Sequence, residues 1–209
     1  MDYATEPPHS GLLVIQGTEP LNAEPNASAL VEFPLTPEDL VYCRNHGPVR
    51  EFDEEKYVIT VNGGVARELE VSMRDLRSLF PKVHVVAALQ VPLFSLTFQG
   101  VLTDREQCAG NRRKEMSTFK KVHGILWDDG VIANAKWGGV RLADVLNFAG
   151  VKIDEHAHVC FASYATLCQD DEYYGASISL PKALNQDGEV LLAFEVMSPV
   201  LSSDWNDKF

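Results

Sequence analysis

"CAGNRRKEM" (108–116) sets one cysteine ahead of an Ala-Gly-Asn turn, two adjacent arginines and a lysine, in a 209-residue chain whose formal net charge is −12. A second stretch, "VYCRNHGPV" (41–49), again places a cysteine beside an arginine. A thiolate is a soft metal ligand and a good nucleophile, and neighbouring cations lower its pKa by favouring the charged form. Gly110 leaves room for a ligand against the backbone, while the forked guanidinium groups of Arg112 and Arg113 suit phosphate or another oxyanion. Locally the stretch has two readings: a site that holds a metal together with an anion, or a small buried thiol followed by a solvated basic turn.

The rest of the composition narrows the classes. With 45% hydrophobic and 23% charged residues the chain is globular, long enough for one sizeable domain or a piece of a larger one. Its pI near 4.9 argues against nucleic acid or anionic lipid as a partner, since both need a basic surface. No apolar run approaches the roughly 18 to 20 residues that cross a bilayer, so no membrane span is expected. The start "MDYATEPPHSG" carries early acids in place of a basic leader. Cys43, Cys108, Cys160 and Cys168 lack CxxC pairing and finger spacing, which argues against a zinc ribbon or a disulfide framework.

Along the chain, residues 1–38 are rich in Pro, Glu, Asn and Ser without a sustained period, and read as an extended arm. Thr36 is placed to cap a helix that has Pro37 at its first position and Glu38 and Asp39 in its first turn. "KYVITVNGGV" alternates from Tyr57 to Val61 and then turns, a hairpin signal. Ser72 can cap a short helix with Met73, Leu76 and Phe80 on one face, stopped by Pro81. "VHVVAAL" (83–89) reads as a buried strand leading towards Cys108. "WGGVRLADVLNFAGV" reads as a loop feeding a helix over about 140–148 with Gly150 as its C-cap. "AHVCFAS", "YYGASISL" and "EVLLAFEV" read as three further strands. Strands and short helices mix without a βαβ rhythm, so the expected class is α+β, a mixed sheet with short helices.

The motifs "CAGNRRKEM", "VYCRNHGPV", "GVIANAKWGGVRLADVL", "AHVCFAS", "YYGASI" and "EVLLAFE" occur in the order found in the sulfite oxidase family. Residues 28–195 resemble its molybdenum-cofactor domain, and "PLNAEPNASALVEFPLTPEDL" is similar to the arm that precedes it. The resemblance implies an oxidoreductase molybdopterin-binding domain over 39–195 and a molybdenum–molybdopterin cofactor bonded to the protein only through Cys108. Tyr42, Cys43, Arg44, Asn45 and His46 match the segment that lines the cofactor, and Arg44 and Arg113 are the candidates for holding sulfite. Paired guanidinium charge is what a doubly charged oxyanion needs on leaving water. As residues in their own right, Cys43, Cys160 and Cys168 read as packing thiols. Trp137, Gly138 and Gly139 read as a turn that packs the following helix. The implied reaction is oxidation of sulfite to sulfate by oxygen-atom transfer. A nitrate reductase-type domain, which shares both RNHGPV and CAGNRR, is the nearest alternative, and a catalytically dead fragment is another.

The sequence also departs from the family. After "HVCF", where some members carry an acid that contacts the cofactor, it has "ASYA", with Asp170 and Asp171 further on. In relatives the strand "VVAALQ" runs directly into "CAGNRR", whereas here residues 91–107 stand between, opening on Val91 and ending on Gln107. Val codons begin GT and a Gln codon can be CAG, so this stretch reads as an in-frame intron translated into protein. A tail at 196–209, opening on Val196, reads in the same way. A genuine loop insertion and a natural short form are the alternative. The family's later motifs, an HG(Y/F)P-type turn and a GARxVKW-type stretch, have no counterpart, nor has the C-terminal domain through which full-length members homodimerise. No haem domain is expected to be encoded in this chain. Family members occur in mitochondria or peroxisomes, and no targeting signal is visible to choose between them.

Overall fold

The computed structural model describes residues 9–45, 47–48, 52–89, 110–164, 173–185 and 190–197. These fall into two compact units, one of residues 1–49, 87–135 and 198–209, the other of residues 50–86 and 136–197. The class is α+β, with short strands, short helices and four small sheets among the described residues.

In the first unit, β1 (Leu13–Thr18), β2 (Leu21–Pro25) and β3 (Cys43–Arg44) form an antiparallel sheet with β2 in the middle. The register sets Asn22 opposite Arg44 and Ala23 opposite Cys43. Every residue of β2 is buried, including Asn22 and Glu24. The stretch read as an extended arm thus supplies the centre of a sheet, a role its polar composition conceals. Helix α1 (Ala27–Leu30) follows, and Ala29 packs with Leu40 against Leu12, Leu30 and Phe33. Thr36 does not cap a helix. The chain makes only a 3-10 turn at Glu38–Leu40, and the Thr36 hydroxyl instead accepts the Asn134 N–H at 2.9 Å. A second cluster joins Tyr42, Trp127, Val131 and Ala133.

The second unit holds the elements that local signals anticipated. Strands β4 (Val58–Val61) and β5 (Leu69–Ser72) pair antiparallel, and Ser72 caps α2 (Met73–Leu79) in a reciprocal capping box with Asp75. Leu76 and Phe80 bury beside Val71, Val140 and Val145. Strand β6 (Lys82–Leu89) is more exposed than a buried strand would be, with residues 86–89 on the surface. The segment 137–139 is not a loop but part of β7 (Ala133–Arg141), which pairs with β10 (Leu191–Met197). A side chain at Gly139 would meet the Leu192 carbonyl oxygen at 2.3 Å, so the glycine permits the two strands to pair there. Helix α4 (Leu142–Ala149) ends at Gly150, as its sequence anticipates, with Val151 N–H bonded to Leu146 O and Gly150 N–H to Asn147 O. Strands β8 (His158–Ser163) and β9 (Tyr174–Ser179) complete the unit with α5 (Leu180–Leu184), whose Leu180 and Ala183 bury against Leu142 and Leu146.

Candidate functional site

The site is built in the first unit from β2, β3 and the segment that opens at Gly110. On β2, the buried Asn22 side chain works in four directions. Its amide donates to Pro20 O at 2.9 Å and Asn45 O at 3.2 Å, while its oxygen accepts the Asn45 N–H at 3.0 Å and Arg44 Nη1 at 3.3 Å. Arg44 also donates to Asn45 O at 2.6 Å, and the Asn45 side chain returns to Leu21 O at 2.8 Å. Arg44 and Asn45 are therefore held by the backbone and side chains of β2.

Arg113 opens the short helix α3 (Arg113–Met116), whose preceding residue, Arg112, sits in the left-handed region at φ 64°. The Asn111 side chain makes a matched pair of bonds to Val131, donating to its carbonyl at 3.0 Å and accepting its N–H at 2.9 Å. Arg112 N–H bonds Asp128 O, and Lys114 N–H bonds Trp127 O at 3.0 Å. Residues 111–114 are thereby laid along residues 125–131.

The three consecutive cations have different fates. Arg112 forks onto Glu115 at 2.7 and 2.9 Å, and Lys114 pairs with Asp128 at 2.8 Å; each carboxylate raises its partner's pKa, the hydrogen bond contributing most. Arg113 is half-buried and donates to the Ile125 carbonyl at 3.0 Å; among the described residues it has no carboxylate partner. Its guanidinium lies against two glycines. A Cβ on Gly110 would sit 2.3 Å from its Cζ, and one on Gly124 would sit 2.6 Å from Nη1. Both glycines have positive φ, 98° and 90°, so both the close approach and the backbone select glycine.

Arg44 lies within electrostatic reach of Arg113. The Arg44 pKa is lowered, first by burial and then by the charge of Arg113. Both effects disfavour a lone buried charge, and a neighbouring anion would relieve them. The other expected residues are distributed around this pair. Asn45 adjoins Arg44, Cys43 is half-buried in β3, and Tyr42 is buried in the cluster with Trp127, where burial raises its pKa. His46 and Cys108 lie outside the described residues. Sequence reading did not find Asn22, Glu24, Asn111 or Gly124. Asn22 and Glu24 lie in the quoted arm "PLNAEP" and Asn111 in the quoted "CAGNRR", but their local signal is only that of polar residues in an extended stretch and a turn, and Gly124 is a lone glycine between His123 and Ile125.

A cavity of about 200 Å³ also opens in this unit, lined by Val14, Glu24, Pro25, Asn26, Arg112, Glu115, Asp128 and Asp129. Four carboxylates against one paired arginine make it unsuited to an oxyanion.

Residues 46–92 and 98–204 match the family model of the oxidoreductase molybdopterin-binding domain, with a break between residues 92 and 98. A sulfite oxidase of Arabidopsis thaliana is 39% identical over 212 residues, covering 97% of this chain and 49% of that protein. An NADH nitrate reductase of Ulva prolifera is 32% identical over 203 residues, covering 95% of this chain and 21% of that protein. Among solved structures, the sulfane dehydrogenase SoxCD of Paracoccus pantotrophus superposes with a TM-score of 0.60 at 24% identity, covering 97% of this chain and 42% of that one, a likeness of fold. The chain spans about half or less of the length of each of these proteins.

Proposed function

Because the chain belongs to the oxidoreductase molybdopterin-binding domain family, we propose that it takes part in oxidising sulfite to sulfate, with Arg44 and Arg113 holding the oxyanion. When bound, molybdenum–molybdopterin supplies the two-electron acceptor with which sulfite and water become sulfate, two protons and two electrons. The residues fit an anionic group in their donor chemistry, since the two guanidiniums present forked donors and Gly110 and Gly124 leave Arg113 uncrowded. Cys108 is the proposed thiolate ligand of the metal. Tyr42, Cys43, Arg44, Asn45 and His46 are the proposed lining of the cofactor.

In this reading the work of the chain is electrostatic. Sulfite leaving water needs fixed positive charge, and donors already held in place do not have to reorganise when it arrives. Arg113 meets that requirement through its bond to the Ile125 carbonyl, and Arg44 through Asn22 and Asn45. The observation that carries the reading is that two arginines of the quoted motifs are half-buried and held by fixed hydrogen bonds in a chain of net charge −12.

The test is steady-state oxidation of sulfite by the chain produced in a host that makes the cofactor. Arg44→Gln and Arg113→Gln are each expected to raise the sulfite KM by about tenfold or more, the scale of a charged hydrogen bond. Cys108→Ser is expected to abolish bound molybdenum. Nitrate reduction without sulfite oxidation would favour the other reading, for which the likeness to the Ulva protein speaks. Molybdenum content unchanged by Cys108→Ser would point to a catalytically dead fragment.

A further inference from the structure

We infer that Asn22 and Glu24, two residues apart on β2, are positioning residues, one for each arginine of the site; the inference rests on the anion-binding reading of Arg44 and Arg113. Residues two apart on a strand project to the same side, and these two are buried polar side chains in a strand that is otherwise apolar. A buried polar group is tolerated when its hydrogen bonds are made, and here the partners form two organised sets.

Asn22 serves Arg44 directly, through the Nη1 bond at 3.3 Å, and indirectly by fixing both the N–H and the carbonyl of Asn45. That same carbonyl accepts Arg44 Nη1 at 2.6 Å. Glu24 serves Arg113 through one intervening loop. Its carboxylate accepts the Asp128 N–H at 2.8 Å on one oxygen and the Gly130 N–H at 2.9 Å on the other, with Gln16 Nε2 adding a third bond at 2.9 Å. The peptide residue whose N–H meets Glu24 is the one whose carbonyl receives Arg112 N–H, and the loop it anchors carries the Ile125 carbonyl that Arg113 grips. Gly130 permits this fit, since a side chain there would strike the Pro25 carbonyl oxygen at 2.1 Å. Strand β2 thus fixes both cations from one template, which is how two like charges can be kept together before an anion arrives.

Isothermal titration of inorganic sulfate into the full 209-residue chain tests this without recourse to turnover. The wild type is expected to bind sulfate, and Arg44→Gln and Arg113→Gln to weaken binding about tenfold each. Asn22→Ala and Glu24→Gln are expected to weaken it in the wild type. Asn22→Ala should add no further loss in the Arg44→Gln background, and Glu24→Gln none in the Arg113→Gln background, because a positioning residue acts only through the group it positions. Leu40→Ala, in a separate cluster, should lower Tm and leave sulfate affinity unchanged. If a β2 variant fails to give a cooperative melt, Asn22→Ser or Glu24→Asp, which keep an oxygen at shorter reach, replace it in the same cycle. Losses that multiply in the double variants, or β2 variants that bind as the wild type does, would overturn the positioning role alone. No sulfate binding by the wild type, or arginine variants that bind equally well, would sink the anion-site reading and the positioning role with it.

Discussion

Arg113 owes its place to what is missing around it. Its guanidinium fills the space that side chains at positions 110 and 124 would take, and its bond to the Ile125 carbonyl fixes the direction of the fork. Gly124→Ala therefore asks two things at once: an L-residue at φ 90°, and a methyl group 2.6 Å from Nη1. Gly63 separates the two demands, because its φ is 85° and nothing lies within 4 Å of its missing Cβ. Both alanine variants are expected to lose about 1–2 kcal/mol of stability from the backbone alone. Only Gly124→Ala should also raise the sulfite KM, because only there is an arginine displaced. Equal kinetics in the two variants would mean that the position of Arg113 is immaterial to substrate binding.

At the scale of elements, α2 shows what a local signal achieves. Asp75 accepts hydrogen bonds from the Ser72 hydroxyl and from the Ser72 N–H, and these hold its carboxyl below the ordinary aspartate range. A carboxyl whose pKa is lower in the folded state takes up its proton first in the unfolded chain as pH falls. Its stabilising contribution is then complete above about pH 4 and drains away as pH falls through the lower folded value. Asp75→Asn should accordingly be less stable than wild type in thermal melts at neutral pH, with the gap closing towards acid; a gap of constant size would exclude this origin. Ser72 and Gly150 were legible in the sequence because a cap is decided by residues within one or two turns. Arg44 and Arg113 became joint candidates only through the quoted motifs, since nothing in the local spacing of "YCRNH" and "GNRRK" relates them. Strand β2 was illegible because Asn22 and Glu24 look solvent-facing until their partners, at residues 44–45 and 128–130, are known. Thr36 carried a cap signature that a tertiary partner, Asn134, took over.

At the scale of the molecule, the question is whether residues 91–107 belong to the fold. They lie outside the described residues, between the end of β6 at Leu89 and the turn that opens at Gly110, and the family match breaks inside them. We propose that they are dispensable, as the sequence "VVAALQ" and "CAGNRR" on either side suggests. Chain entropy makes the two possibilities distinguishable. Shortening a connection changes its closure entropy only logarithmically, by about 0.6 kcal/mol for each halving, which for a chain of this size moves Tm by only a few degrees. A segment packed into the fold would instead take its buried contacts with it, and deletion would lower Tm by far more or abolish the cooperative melt. The variant lacking residues 91–107, in which Gln90 is joined to Cys108, is therefore expected to melt within a few degrees of the parent chain. It should also retain more molybdenum per chain when produced with the cofactor, because Cys108 then follows the strand directly. A small change in Tm with no gain in metal would leave the segment dispensable to the fold but remove it as an obstacle to the site. A large fall in Tm would make it an integral part of the domain.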